Sequence, residues 1–475
     1  MKFYNRKKEL EELQRLNNAR PSFLVITGKR RVGKTELMIE YLKKHKGIYF
    51  FVDHQKNEAL LLQEFVEELK RMNLIPEYIK MVQSMEDFLS LLFSIQEEII
   101  VIFDEFQRFL KINPAIINQF QKAWDLRGSK SKTFLMVSGS SMGMIKKVFT
   151  EQQTPLFKRA DNIISLTPFS FAEINVVLQD LGIKSFEERL KFYFLFGGVI
   201  YYYKHLEKFR VQTFQKAIEE LVFREFAPLR NEVQEMMIEG FGKEHRTYYE
   251  ILSAIAMGKN TKKEMADFVG VEHTSLSPYL HDLSSILNVI DYRLPITEDP
   301  LKSKKGRYCL SDPFISFWFR FLFRNKSEYE QKRYDEIITK IKPEINSFFG
   351  LRFEEFSRDM VRSMAQEDLV PFASIGQWWG HYRDASGRQE LEIDICSVKE
   401  EHILVGEVKW QGDVNVHELL KALKNKTEYI KHGTAFYLII AKSFREKIRS
   451  SNVCCLDLED IESYYSSSMK KKLFG

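Results

Sequence analysis

Residues 28–35 read GKRRVGKT and follow an apolar run, SFLVIT at 22–27, that stops at Gly28. The spacing G-x-x-x-x-G-K-[ST] in that setting constrains the chain more than any other feature. A short apolar run ended by glycine reads as a buried strand of a parallel sheet. Gly28 and Gly33 let the backbone curl until successive amides face one point. The N-terminus of a helix predicted over 34–44 adds partial positive charge. Such a cradle suits a polyphosphate. Lys34 is then expected to reach the β and γ oxygens of ATP, and the Thr35 hydroxyl to face a magnesium ion. The expected nucleotide contacts are Gly28, Lys29, Arg30, Arg31, Val32, Gly33, Lys34, Thr35 and Glu36. A plain glycine turn between strand and helix is the competing reading.

Further apolar runs follow: IYFFVD at 48–53, IIVIFD at 99–104, TFLMVSG at 133–139 and NIISL at 162–166, with a helical stretch over 58–95. Strands alternating with helices predict an α/β fold with a parallel sheet covered on both faces. Asp104 ends the third run, where open α/β sheets gather their ligands. It is the expected magnesium carboxylate, and Glu105 the expected general base for the attacking water. The competing reading of the pair is a helix cap with a first-turn acid. Ser140, just past the fourth strand, offers a hydroxyl that senses the γ-phosphate or orients the water, unless it is only a polar turn. Arg159, just before the fifth strand, is a candidate arginine finger acting in cis or on a neighbouring copy. A plain surface arginine is the alternative.

A chain of 475 residues is too long for one core, and its length suggests three or four domains. The net charge of +5 permits an acidic partner such as DNA without requiring one. Four cysteines show neither metal-ligand spacing nor a disulfide framework, and Cys454 and Cys455 read as small buried hydrophobes on alternate faces of a strand. The N-terminal MKFYNRKKELEEL lacks the apolar core of a signal peptide, and no run of about 18 apolar residues exists to span a membrane. A cytoplasmic location is expected.

FYNRKKELEEL, GKRRVGKT, IFDEFQ, VSGSS, PLFKR and GGVIYYY together resemble the archaeal-type ATPases of the AAA+ superfamily. That resemblance implies that Phe3 and Arg6, with Glu9, help to cover the adenine. It also implies that Arg159 is the finger and that GGVIYYY is a lid motif. Ile200 stands where the family usually has proline.

Residues 247–310 resemble a winged helix-turn-helix. Thr274, Ser275, Ser277 and Tyr279 lie on its third helix, and Lys302, Lys304, Lys305 and Arg307 on the turn of its wing, suiting DNA phosphates and base edges. Pro278 suggests that the third helix starts late. The alternatives are a wing that only holds subunits together and a solvated lysine turn.

In the last 130 residues, LEIDICSV carries Asp394, and thirteen residues later VGEVKW carries Glu407 and Lys409. On a strand, residues two apart share a face, so Glu407 and Lys409 point the same way. Asp394 on the neighbouring strand is placed to meet Glu407 across a magnesium ion, with Lys409 activating water or stabilising the developing phosphorane. The layout is that of restriction-endonuclease-like enzymes, and Glu354 on the preceding helix is a further acid. Trp378, Trp379 and Trp410 are candidates for base stacking or for the core.

The expected plan is a P-loop ATPase core at 1–168, a helical lid at 169–242, a winged helix-turn-helix at 243–325, a connector at 326–345 and a nuclease-like α/β domain at 346–475. The expected function is an ATP-hydrolysing switch with DNA as partner, magnesium as cofactor, a homo-oligomer where Arg159 acts in trans, and a nuclease-like effector. One alternative is an ATPase with a non-cleaving C-terminal binder. Another is a signalling NTPase whose winged helix makes only oligomer contacts.

Overall fold

Every residue of Ser22–Gly28 (β1) is buried, and its side chains alternate between two cores. Phe23 and Val25 enter one, Leu24 and Ile26 the other. That alternation is why the strand reads as continuously apolar: both faces of its sheet are covered. Four more strands join it, Gly47–Phe51 (β2), Ile99–Asp104 (β3), Thr133–Gly139 (β4) and Asn162–Leu166 (β5), in the order β2-β3-β4-β1-β5. All pairings are parallel, so the carboxyl ends of β1, β3 and β4 share one edge. One core is strongly aromatic. Phe103 lies 5.1 Å from Phe50 and 5.2 Å from Phe120, ring centre to ring centre.

The computed structural model describes residues 1–140, 142–241, 246–384, 387–430, 433–466 and 472–474. They form two compact units, the first comprising 1–177, 198–208 and 280–288, the second 178–197, 209–279 and 289–475. In the first, the helical stretch expected over 58–95 is two helices, Glu58–Arg71 and Met85–Phe93. Asn73 in the left-handed region (φ 55°) and Pro76 shortly after it end the first, and the Ser84 side chain caps the second.

In the second unit, helix Arg246–Ala256 is followed by Lys262–Val269, which has a Thr261/Glu264 capping box and a left-handed Gly270 at its end. A single 3-10 turn at His273–Ser275 leads into helix Leu276–Ser285, whose residues from 280 on belong to the first unit. That helix begins before Pro278, not after it. Pro278 is its third residue, where a backbone N–H has no helical partner to lose. A ribbon of Ile290–Arg293 (β6) and Arg307–Leu310 (β7) follows. The charged segment 326–345 holds two short helices, Lys326–Glu330 and Tyr334–Ile341.

The 22-residue helix Ile345–Gln366 then leads into a five-stranded mixed sheet. Its strands are Gly376–Asp384 (β8), Gly387–Lys399 (β9), His402–Lys409 (β10), Thr434–Ala441 (β11) and Val453–Leu456 (β12), ordered β12-β11-β10-β9-β8. β8, β9 and β10 run antiparallel, and β10, β11 and β12 parallel. Strand β8 was not expected, because GQWWGHYRD lacks a clean apolar alternation and bulges between Gly376 and Trp378. Cys454 and Cys455 are buried on β12. No helix among the described residues is long and apolar enough to cross a membrane.

Glu355 ties the ribbon to the long helix. Its two oxygens accept from Arg293 of β6 at 2.8 Å and from Arg352 at 2.7 Å. Burial works against the charge, but the flanking guanidinium groups of Arg352, Arg293 and Arg358 prevail and hold the carboxyl at about 2, below its ordinary 4.5. The depressed value means that this stability is present above the unfolded pKa and is lost as pH falls from about 4.5 through about 2. Glu355→Ala strands two largely buried arginines. Because a quarter of the acid remains exposed, a loss of about 2–3 kcal/mol is expected in denaturant unfolding at neutral pH. The deficit should shrink towards pH 2.

Candidate functional site

The phosphate loop is built as its sequence demands. A Cβ on Gly28 would lie 2.5 Å from the Leu166 carbonyl oxygen, so only glycine fits between β1 and β5. Arg31 and Gly33 adopt left-handed φ values of 62° and 101°, and the helix opens directly at Lys34. Lys34 is buried and donates through Nζ to the carbonyls of Gly28 (3.0 Å) and Lys29 (3.1 Å), inside the curl of its own loop. Burial lowers its pKa, while the charges of Glu105 and Asp104 pull the other way.

Asp104 is buried at the end of β3 and accepts four hydrogen bonds. One oxygen takes the Thr35 hydroxyl at 2.7 Å and the Tyr49 hydroxyl at 2.7 Å. The other takes the Glu105 amide at 2.9 Å and the Ser138 hydroxyl. Burial, then the Asp104 charge, raises the Tyr49 phenol far above its ordinary range, so it stays a donor. The side chains of Thr35 and Asp104 thus meet, offering oxygen ligands of the kind a hydrated divalent cation takes. Glu105, one residue on, has a left-handed backbone and accepts from Ser140 Oγ at 3.0 Å.

The N-terminal segment lies beside the loop. Phe3, Arg6, Val32, Gly33, Phe169 and Ile200 line a cleft there. Arg6 is buried, donates to the carbonyls of Val32 (3.2 Å) and Thr167 (2.8 Å), pairs with Glu9 at 3.0 Å, and stacks on Phe169 at 4.3 Å. Glu36 turns aside to pair with Lys204 at 2.6 Å, and Arg31 lies over the Tyr201 ring at 4.1 Å.

Arg159 is not brought to the site of its own chain. It holds Asp125, at 3.1 Å from Nη2, and lies two residues before Asp161, whose carboxylate accepts from the Phe23 amide at the start of β1. The phosphate loop begins five strand residues away, about 17 Å at the rise of an extended chain.

A second cluster lies in the mixed sheet. Glu407 is buried on β10, and both its oxygens are engaged, by Lys409 at 2.7 Å and by Lys426 of helix Val416–Thr427 at 2.7 Å. Asp394 on β9 accepts from the Val408 amide at 2.8 Å, and its carbonyl accepts from the buried Arg358 at 2.9 Å. Burial, then the Glu407 charge, pushes Asp394 up to about 6. Burial, then Asp394, pushes Glu354 up to about 8. Burial opposes ionisation of Glu407 too, but the two lysines hold it below its ordinary range. Glu354, Asp394, Glu407 and Lys409 therefore share one electrostatic site. Among the described residues no group of three acid, histidine or cysteine side chains converges as a metal cage.

The tryptophans are spoken for. Trp410 packs against Phe353 at 5.0 Å, Trp379 carries Arg307 on its face and donates to the Lys305 carbonyl, and Trp378 donates to Thr297. Two of the four cations of the 294–306 turn and its flank are also engaged, Lys305 by Glu298 and Arg307 by Glu390 and Glu392. Lys302 is 86 % exposed, with Asp299 no nearer than 3.9 Å.

Sequence reasoning missed Tyr49, Arg358 and Lys426. Lys426 is one of three lysines in KALKNKT, and only the packing of that helix decides which of them meets Glu407.

Residues 3–206 match the profile of an ATPase domain predominantly from Archaea, and residues 318–425 that of archaeal and bacterial proteins of unknown function. The uncharacterized protein MJECL04 of Methanocaldococcus jannaschii is 30% identical over 466 residues, covering 96% of this chain and 99% of that one. The Walker-type ATPase PABY2304 of Pyrococcus abyssi superposes with a TM-score of 0.54 at 18% identity, over 67% of this chain and 96% of that one, a likeness of fold. The chain belongs to one family with the Methanocaldococcus protein, and its residues 3–206, with their parallel sheet and phosphate loop, carry an ATPase domain of the kind found predominantly in Archaea.

Proposed function

We propose that the chain is a magnesium-dependent ATP switch acting on DNA. The observation that carries the first half is the 2.7 Å bond between Thr35 and Asp104, with Glu105 beside it. Thr35 and Asp104 are the residues to hold magnesium, which when bound would neutralise charge on the transferred phosphoryl group. Lys34 and the loop amides grip the phosphates. Glu105 draws the proton from the attacking water, and Ser140 holds Glu105. Phe3 and Arg6 shape the base end of the site. Arg159 serves a neighbouring copy, a role supported by its distance from the loop of its own chain.

The second half of the proposal concerns residues 243–475. Exposed Thr274, Ser275 and Ser277, with Lys262 at 3.2 Å from the Ser277 hydroxyl, suit a nucleic-acid backbone. So do Lys302 and Lys304 on the turn of the wing. With Lys305 and Arg307 engaged, only about two phosphates would be neutralised there, giving a modest salt dependence. Asp394 and Glu407 are the pair to hold a second magnesium, which would activate water against a phosphodiester. Lys409 stabilises the developing charge, and Glu354 completes the acidic wall. The engagement of both Glu407 oxygens by lysines favours a second reading, a C-terminal domain that binds DNA without cutting it.

One assay separates the two. With plasmid, magnesium and ATP, the native protein should nick while Asp394→Ala and Lys409→Ala lose at least about a hundredfold in rate. Equal nicking by all three removes the nuclease reading. A salt-dependent gel shift without nicking supports the non-cleaving one, and no shift at low salt leaves the winged element as an assembly contact.

A further inference from the structure

Glu105 heads a left-handed turn (φ 59°) that runs into the single 3-10 turn Phe106–Arg108. Phe106 and Phe109 are fully buried and pin that turn to the core. Gln107, between the two pins, is 6 % exposed and folds back so that its Nε2 donates to Glu105 Oε2 at 2.5 Å. Ser140 Oγ donates to the same oxygen at 3.0 Å, and Arg108 Nε lies 3.7 Å from it. Glu105 Oε1 receives no hydrogen bond from any described residue. The amide of Gln107 must be oriented this way, because its oxygen facing the carboxylate would be repelled. Its own Oε1 consequently points inward and is buried with no hydrogen-bond partner. It lies where a Cβ on Gly139 would come within 2.2 Å, so the glycine at the end of β4 makes room for it.

A buried carbonyl oxygen without a partner is costly, and such a cost is tolerated where function requires the group. We infer that Gln107 is a positioning residue for ATP hydrolysis, anchoring one oxygen of Glu105 so that the other is presented to the attacking water. The inference rests on reading Glu105 as the general base. Proton removal falls off steeply when the acceptor is misplaced, and a carboxylate free to rotate on a solvent-facing edge is misplaced most of the time. Gln107 supplies the buried half of the anchor and Ser140 the more open half.

The test is Gln107→Met in the full chain, which keeps length and volume while removing both the donor and the orphan oxygen. The expected result is kcat lowered at least about tenfold with the ATP dissociation constant held within about twofold. The melting temperature should equal or exceed that of the native protein, because the unpartnered oxygen has gone. Adding Ser140→Ala should cost more in the Gln107→Met background than alone, since each donor partly covers for the other on one oxygen. Native kcat in Gln107→Met, beside a slow Glu105→Gln, overturns the inference. A parallel fall of kcat, ATP affinity and melting temperature also overturns it, leaving Gln107 a structural residue. Native turnover by Glu105→Gln removes instead the base assignment beneath it.

Discussion

The Lys34→Ala protein is expected to bind no measurable ATP at millimolar nucleotide. Lys34 is enclosed by the curl of residues 28–35, 6 % exposed and hydrogen-bonded to two carbonyls of that loop. A polyphosphate there replaces weak dipolar partners with full charges. Charge-assisted bonds of this kind are worth about 1.5–3 kcal/mol each, so losing two lowers affinity by roughly a hundredfold or more. Alanine also removes the cation that balances Asp104 and Glu105 near the phosphates. Isothermal titration with ATP and magnesium checks the result. Affinity within tenfold of native would show that the loop amides alone bind the nucleotide.

Glu105→Gln has the next largest effect, and it falls on a different step. Glutamine keeps the shape and can still meet Ser140 across 3.0 Å, so ATP binding is expected to survive. It cannot accept the proton of the attacking water, and turnover is expected to drop about 10²–10⁴-fold. Phosphate release under saturating ATP measures this, with nucleotide affinity determined on the same sample. A variant that binds and turns over normally would move the base elsewhere on the carboxyl edge of the sheet. Together the two variants separate gripping from chemistry: one should fail to bind, the other bind and stall.

The lower half of the chain illustrates how charge is redistributed by packing. Four cations on and beside one turn read as a ready surface for phosphates, yet Lys305 and Arg307 are held by Glu298, Glu390 and Glu392. Glu298 comes from the other side of the same turn, but Glu390 and Glu392 come from β9, so a window of sequence around the turn reveals only part of the cancellation. The Glu407 site behaves likewise. Lys409 is legible as its strand neighbour, two residues on and on the same face. Lys426 arrives from a helix 19 residues away and takes the second oxygen.

Features built from contiguous backbone were therefore legible from the residues alone. The phosphate loop, the Asp104-Glu105 pair at a strand end and the buried parallel strands depend on glycines, on a helix start and on apolar runs, all within a few residues of each other. Tertiary structure decided the rest. It chose the strand order that brings Tyr49 and Ser138 onto Asp104, and it turned Gln107 back beneath Glu105. It also sent Arg159 to the far end of β1, paired Glu355 with a ribbon arginine 62 residues earlier, and added β8 to a sheet edge. These depend on which strands neighbour one another and in what register. That choice is made by burial summed over the whole core, and no short stretch of chain encodes it.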